Sequence, residues 1–197
     1  MQKYYIISYE PDGKGAPYFF DVEWSPELPE FHYPTQSPSS ESLCDTYYAI
    51  AEVERLQADW LIDHFLGSDK FKAICDEFQC PYLSRKVVLS LSDGQAPLSK
   101  VYSFFVPSER LRAMDVKQSS FVVDSNDKLG HSHEVEYERI DNLVMQSGIK
   151  SHLFYFEEIK EFVCSDAFLK AVLERKIVGL SFSLIDTSYR YAPWDDF

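Results

Sequence analysis

The chain has few of the glycines, basic residues and long apolar runs on which several large classes of protein depend. Only 7 of its 197 residues are glycine, and they are too scattered to form a phosphate-binding P-loop or the dinucleotide fingerprint G-x-G-x-x-G. No stretch approaches the roughly 18 consecutive apolar residues of a membrane-spanning helix, and the first residues lack a signal-peptide pattern. We therefore expect a soluble, cytoplasmic protein that binds neither a nucleotide nor a membrane.

The four cysteines do not indicate a disulfide framework. They include no C-x-x-C pair, and they are too few for a small secreted scaffold held together by disulfides. The pattern favours reduced and mostly buried thiols at Cys44, Cys75, Cys80 and Cys164.

Basic residues are scarce relative to acidic ones. The chain carries 19 Lys and Arg residues against 32 Asp and Glu residues, a net charge of −13. Residues 1–66 hold 12 of the acids and 3 of the bases, whereas residues 67–133 are close to neutral. Because nucleic acids and anionic bilayers are bound by basic surfaces, we expect neither as a direct partner. The composition predicts a basic protein partner, attracted by an acidic face in the first third of the chain.

Seven segments have the composition and boundaries of β-strands. Each is rich in Val, Ile, Phe and Tyr and is bounded by Pro, Gly, Ser or Asp. This distribution predicts a sheet-dominated α+β fold, in which two or three short amphipathic helices pack on antiparallel or mixed strands. The predicted strands are residues 3–9, 18–24, 86–91, 101–106, 120–124, 152–156 and 178–185.

Two helices are predicted from apolar stripes. Residues 68–78 place four apolar side chains at i, i+3, i+4 and i+7, and residues 165–176 carry a similar stripe. Ser68 is the expected N-cap of the first helix. Both segments begin with Ser-Asp-x-Phe, which indicates either an internal repeat of helix and strand or a chance match of common residue types. Residues 41–66 mix helical and continuous apolar character and are predicted as a third helix.

The length suits one domain, and we expect residues 1–197 to form it. The loop positions leave open a division into two sub-regions, about 1–124 and 133–186. Residues 25–42 contain four prolines among Ser, Glu and Gln, so we expect a long surface loop there.

Residues with the chemistry of a metal or catalytic site occur in one place. His131 and His133 lie on the same side of an extended segment, next to Glu134, Glu136 and Glu138, so a small-molecule enzyme or a metalloprotein is one alternative. The competing interpretation is an exposed loop with solvated histidines, followed by the solvated face of a strand. Because no second histidine or cysteine pair at ligand spacing and no nucleophile context accompanies them, the sequence favours a binding protein without catalytic residues, metal or cofactor.

The order of short motifs along the chain resembles a bacterial immunity-protein family of polymorphic toxin systems, first catalogued as a domain of unknown function. The resemblance runs from the first strand to about Ile185 and is densest from Val135 onward. The motifs that carry it are YYII at 4–7, LGSDKF at 66–71, MDVKQS at 114–119, YERIDNLVM at 137–145, LFYF at 153–156, FVCSD at 162–166 and VGLSF at 178–182.

This resemblance implies a cytoplasmic inhibitor that binds and silences a toxin encoded beside it, and it supplies no catalytic residues. The acidic composition favours a basic toxin domain, such as a nuclease. Within the acidic first third, four carboxylates are the candidates for attracting the toxin, and aromatic residues beside acids are the candidates for anchoring it. The predicted partner-binding residues are Glu52, Glu54, Asp59 and Asp63 for attraction, and Tyr47, Tyr48 and Trp194 for anchoring.

Overall fold

Strands dominate the part of the chain that the computed structural model describes, which is residues 2–32, 36–97, 100–123 and 136–193. Two helices, Asp69–Glu77 (α1) and Asp166–Glu174 (α2), accompany them, so the predicted α+β fold is confirmed. Among the described residues, no helix has the length and apolar character needed to cross a membrane. The strands are Tyr4–Tyr9 (β1), Val22–Ser25 (β2), Thr46–Ala51 (β3), Trp60–Leu61 (β4), Leu66–Ser68 (β5), Tyr82–Leu91 (β6), Tyr102–Pro107 (β7), Arg110–Leu111 (β8), Ser120–Val123 (β9), Tyr137–Asn142 (β10), Leu153–Phe156 (β11), Glu161–Ser165 (β12) and Leu180–Leu184 (β13).

These strands form two mixed sheets and one hairpin. The six-stranded sheet has the order β2-β3-β6-β7-β5-β4, with β3 and β6 parallel and the other neighbours antiparallel. The five-stranded sheet has the order β13-β1-β12-β11-β8, in which only the β11–β8 pair is parallel. β9 and β10 pair separately. The first strand of the chain therefore lies among its last strands.

The prediction of a third helix over residues 41–66 is wrong. This segment contains β3, β4 and the first residue of β5, joined by loops and by two short 3-10 turns at Ser40–Ser42 and Ile62–His64. In β3, buried residues alternate with exposed ones, which is the period of two that a strand requires. The small side chains Ala49 and Ala51 mark the buried face, and they are common in both helices and buried strands.

Three clusters of buried side chains form the core. One covers a face of the six-stranded sheet and receives Leu28 and Phe31 from the proline-rich segment. The second joins residues of both sheets to the apolar faces of α1 and α2. The third lies on the opposite face of the five-stranded sheet and includes Ile140 of the hairpin. Because β1 contributes Ile7 to the second cluster and Ile6 to the third, it is apolar on both faces.

The two helices begin with the same hydrogen bond. The hydroxyl oxygen of Ser68 accepts from the backbone N–H of Phe71 at 3.1 Å, and that of Ser165 accepts from the N–H of Phe168 at 3.2 Å. Each serine satisfies one of the backbone donors that a helix leaves free at its N-terminus. The predicted cap at Ser68 is confirmed.

The helices also end alike. Gln79 and Lys176 adopt left-handed backbone angles, with φ of 54° and 51°. The next residue in each case, Cys80 or Ile177, donates its N–H to the carbonyl five positions earlier, at 2.8 and 3.1 Å. This bond is the mark of a Schellman cap, which stops a helix and turns the chain away.

The strands around each helix repeat as well. In the six-stranded sheet β7 lies between β5 and β6, and in the five-stranded sheet β1 lies between β12 and β13. Ser68 lies opposite Tyr102, and Ser165 lies opposite Tyr4. Counted from these two pairs, the β5–β7 and β12–β1 pairs have the same register, and the β6–β7 and β13–β1 pairs correspond once one extra residue is allowed between α2 and β13. The middle strand is therefore equivalent in the two sheets.

The chain thus contains one hairpin–helix–strand arrangement twice. The first unit comprises β4, β5, α1, β6 and β7, which follow one another along the chain. The second comprises β11, β12, α2 and β13, and β1 supplies its middle strand. The equivalent residues Phe71 and Phe168 meet edge to face, with ring centroids 6.0 Å apart. The internal repeat is confirmed, and a chance match of the Ser-Asp-x-Phe motifs does not explain the shared register.

Candidate protein-binding cleft

A cleft with acidic and aromatic walls opens beside the end of β3 and the 3-10 turn that follows β4. Its volume is about 530 Å³, which is within the usual range of ligand-binding sites. No lysine or arginine is among its described lining residues. We call it the acidic cleft, and it is lined by Tyr9, Pro17, Tyr18, Phe19, Phe20, Asp21, Leu61, Ile62, His64 and two of the predicted carboxylates, Glu52 and Asp63.

The aromatic wall is held in place by a tightly linked loop. The carboxylate of Asp12 accepts hydrogen bonds from the backbone N–H groups of residues 14, 15 and 16 at 2.7–3.1 Å, which closes a compact turn. These bonds lower the pKa of the Asp12 carboxyl below its ordinary value. The turn is fixed to the body because the carbonyl of Gly15 accepts from Gln57 and Ala58. The residues after this turn are thereby presented at the surface.

A stacked pair of rings connects this loop to the opposite wall. The rings of Phe20 and His64 are parallel, with centroids 4.0 Å apart. The Nε2–H group of His64 donates to the backbone carbonyl of Phe20 at 2.8 Å. Tyr9 supports the same loop by donating its hydroxyl to the Pro17 carbonyl at 2.9 Å. Burial, reinforced by the Asp12 carboxylate, raises the pKa of Tyr9 to about 12, so its hydroxyl remains a donor at neutral pH.

Two large aromatic side chains stand exposed beside the acids. Phe19 is 95% exposed and Tyr18 is 64% exposed. The backbone N–H of Glu52 donates to the carbonyl of Asp21 at 3.0 Å. This bond holds the residue after β3 next to the residue before β2. None of the carboxylates at Asp21, Glu52 and Asp63 forms a salt bridge with a described residue. The cleft therefore combines uncompensated negative charge with apolar surface.

Two other predicted residues are exposed outside the acidic cleft. Glu54 lines a neighbouring cleft of about 500 Å³ together with Lys14 and Arg55, so basic side chains lie beside it. Tyr48 is 60% exposed and points outward from the six-stranded sheet, next to Val88 on the adjacent strand. Pro17 lines both clefts, which makes the surfaces adjacent.

The prediction that Asp59 attracts a partner is corrected by its position, because its side chain is fully buried. One carboxylate oxygen accepts from the Ser68 hydroxyl at 2.6 Å and pairs with the Lys100 ammonium at 2.7 Å. The other accepts from the backbone N–H of Val178 at 2.8 Å. Burial lowers the pKa of Lys100, although the Asp59 carboxylate opposes this shift. Asp59 joins the first unit to the loop before β13 and does not reach a partner.

Tyr47 is also corrected as an anchor, because it is fully buried in the core of the six-stranded sheet. Its hydroxyl accepts from the backbone N–H of Cys44 at 2.9 Å, and its ring meets Trp24 edge to face. Trp194, the remaining predicted anchor, lies outside the described residues. Of the seven predicted positions, Glu52 and Asp63 are the two that the acidic cleft brings together.

Sequence reasoning missed the aromatic half of this cleft. Residues 18–24 are predicted as one strand, whereas β2 begins at Val22, and the run Tyr18-Phe19-Phe20-Asp21 precedes it. A strand would have buried alternate rings, and these residues instead form a loop with two of them exposed. No local pattern in these residues separates the loop from a strand, because Tyr and Phe are favoured in strands.

The catalytic and metal-binding alternatives have no support in the described part of the chain. His131 and His133 lie outside it, together with Glu134. Within it, no group of three or more His, Cys, Asp and Glu side chains could hold a metal ion. His152 and Ser165 lie 2.7 Å apart, but Ser165 is fully buried and caps α2, which leaves it inaccessible as a nucleophile.

All four cysteines are free thiols, and Cys75, Cys80 and Cys164 are buried. Burial raises the pKa of each of these three thiols, and the pKa of Cys80 reaches about 12. Such thiols are protonated and unreactive near neutral pH. The prediction that the cysteines are mostly buried is therefore confirmed.

Comparison with known proteins does not assign the chain to a family. No protein-family model matches the sequence, and no curated protein matches it.

Proposed function

We propose that this protein is a cytoplasmic immunity protein, which neutralises a cognate bacterial toxin by binding it directly. In this proposal the acidic cleft is part of the surface that meets the toxin. The observation that carries it is that Glu52 and Asp63, which form no salt bridge with a described residue, line the same cleft as the exposed rings of Tyr18 and Phe19. Tyrosine is among the residues enriched at interface hot spots, and complementary charge steers a partner toward them.

The sign of the charge favours a basic toxin domain, such as a nuclease. The net charge of −13 attracts a cationic partner over long distances and raises the association rate. An inhibitor that must capture a toxin before it acts benefits from that rate. Like charges repel nucleic acid, the substrate of a nuclease, which keeps the inhibitor free for its protein target.

Co-expression tests the proposal directly. The chain is produced in a bacterial host together with the toxin domain encoded by the neighbouring gene, and growth is compared with that of cells producing the toxin alone. We expect growth to be restored and the two proteins to elute as one complex in size-exclusion chromatography. A non-cognate toxin is the control. Persistent toxicity together with separate elution of the two proteins would contradict the proposal.

The alternative function is a small-molecule enzyme or metalloprotein that uses His131, His133 and nearby carboxylates. Nothing in the described residues favours it over toxin binding. Metal analysis of the purified protein distinguishes the two, because a metalloprotein retains a stoichiometric transition metal and loses it when both histidines are replaced by alanine.

A further inference from the structure

We infer that the acidic cleft binds the guanidinium group of an arginine side chain on the partner protein. This inference rests on the proposed function and makes it more specific, since it names the chemical group that enters the cleft. Three features of the cleft support it: its uncompensated carboxylates, the exposed rings beside them, and a contact of the same chemistry inside the molecule.

The carboxylates of the cleft, unlike those of Asp59 and Glu157, have no cationic partner among the described residues. Asp59 is paired with Lys100, and Glu157 is paired with Arg110 and Arg112. Asp21, Glu52 and Asp63 have no such neighbour among the described residues, although they line one cleft. A cation supplied by another protein would find negative charge there that no internal contact has already neutralised.

The rings beside these carboxylates favour arginine over lysine. A guanidinium is flat and weakly hydrated, so it can stack on an aromatic face while its N–H groups bind carboxylate oxygens. Phe19 and Tyr18 offer such faces at 95% and 64% exposure. An ammonium group is compact and strongly hydrated, and it gains less from lying between an apolar wall and a carboxylate.

The described part of the chain contains an internal example of this arrangement. The guanidinium carbon of Arg110 lies 4.5 Å from the centre of the Tyr155 ring. The same guanidinium is 3.5 Å from a carboxylate oxygen of Glu157. Arg110 of β8 is thus held by the ring of Tyr155 in β11 and by the carboxylate of Glu157 in the turn after β11. The acidic cleft offers the same two surfaces without an arginine of its own.

The cleft has the size and openness for such a contact. At about 530 Å³ it accommodates the end of an arginine side chain and part of the loop that carries it. The stacked pair of Phe20 and His64, which lines the cleft and is held by a hydrogen bond, is already formed before a partner binds. A preorganised site loses less entropy when its ligand arrives.

Hexapeptide probes test this inference without the toxin. The full chain, labelled with ¹⁵N, is titrated with hexa-arginine, hexa-lysine and neutral hexa-citrulline, and amide chemical shifts are followed by NMR. We expect hexa-arginine to bind most tightly and to shift the amides of Phe19, Asp21, Glu52 and His64. The double variant E52Q/D63N should weaken hexa-arginine binding at least about tenfold, in line with the loss of charge-assisted hydrogen bonds.

A charge-matched variant is the control. E138Q/E174Q removes two exposed acids of β10 and α2 that have no salt bridge among the described residues, so it changes the net charge equally. It should bind hexa-arginine as the native protein does. F19S, at a nearly fully exposed position, should weaken binding roughly threefold through the lost ring contact, and circular dichroism of each variant checks that it remains folded.

Several outcomes would overturn the inference. Equal weakening by E52Q/D63N and E138Q/E174Q would show binding through net charge alone. Equal affinity for hexa-lysine and hexa-arginine would show that the guanidinium group is not specifically recognised. Chemical-shift changes confined to another surface would show that the peptide binds outside the acidic cleft. The proposed function is tested separately. If the native protein captures the toxin but does not bind hexa-arginine at the cleft, only this inference is contradicted. If it binds hexa-arginine at the cleft but does not capture the toxin, only the proposed function is contradicted.

Discussion

Asp59 illustrates how a residue with the chemistry of a surface contact can serve the core instead. The sequence places it among other acids, next to Trp60, and its burial depends on three groups that are distant along the chain: Ser68, Lys100 and Val178. No local pattern predicts such a meeting. Glu52 and Asp63 were predicted by the same reasoning and are exposed. Composition therefore identifies an acidic region of the chain but does not distinguish its exposed acids from its buried ones.

Replacing Asp59 should destabilise the fold strongly. The variant D59N removes the charge that compensates the half-buried Lys100 and weakens the hydrogen bonds from Ser68 and Val178. Loss of one partner from a buried ion pair costs about 3 kcal/mol or more. Urea denaturation should therefore show a lower free energy of unfolding for D59N. The exposed neighbour E54Q is the matched control and should unfold as the native protein does; equal stabilities of the two variants would contradict the assigned role.

Glu158 gives the stability of the protein a defined pH dependence. This buried side chain accepts from the backbone N–H groups of Ala113 and Met114. Burial raises the pKa of its carboxyl above the ordinary 4.5, although these bonds oppose the shift. Because the folded state holds the proton more tightly than the unfolded state, the contribution of Glu158 is fully present below the ordinary pKa and is lost as the pH rises through the raised one.

The variant E158Q should remove this dependence. As the pH rises above 4.5, the free energy of unfolding of the native protein should fall relative to that of E158Q. Urea titrations at a series of pH values measure it. A difference that stays constant with pH, or that changes in favour of the native protein, would contradict the raised pKa of Glu158.

At the scale of elements, sequence patterns predicted the helices better than the strands around them. Both helices occur where the apolar stripes place them, because a capped stripe is a local signal. The region 41–66 was misassigned because β3 takes its identity from neighbours in the sheet, and β4 has only two residues. Short strands of this kind depend on pairing with strands distant along the chain, and the local pattern of apolar residues does not reveal that pairing.

The equivalent caps of the two helices offer a paired test. Ser68 and Ser165 each accept from a backbone N–H of their helix, but only the Ser68 hydroxyl also donates to a buried carboxylate, that of Asp59. We expect S165A to cost about 1.5 kcal/mol and S68A about 3 kcal/mol in free energy of unfolding. Urea denaturation of both variants measures these values. A larger loss in S165A than in S68A would contradict the special role of the Asp59 bond.

At the scale of the whole molecule, the duplication was only hinted at by the sequence. The three shared residues of the Ser-Asp-x-Phe motifs indicate it, and the common register of the β5–β7 and β12–β1 pairs establishes it. The strand order explains why the signal is faint, because β1 and β13 of the second unit stand at opposite ends of the chain. A search along the sequence for two consecutive copies would not find them.

A circular permutant tests the equivalence of the units. The new chain begins at Gln95, after the exposed turn at Asp93 and Gly94, and a flexible Gly/Ser linker joins residue 197 to residue 1. The first unit would then receive its middle strand, β7, from the new N-terminus, as the second unit now receives β1. Since Leu184 and Tyr5 already lie opposite each other, we expect a cooperative fold with native circular dichroism. A chain without a cooperative thermal transition would contradict the equivalence.

The affinity for the neighbouring toxin, measured in native and variant proteins, tests the central claim most directly. Isothermal titration at low and at physiological salt compares the native chain with E52Q/D63N and with the charge-matched E138Q/E174Q. We expect E52Q/D63N to bind at least about tenfold more weakly, with the larger loss at low salt because screening is least there, and E138Q/E174Q to retain native affinity. Equal affinity of all three proteins at both salt concentrations would contradict a binding surface at the acidic cleft.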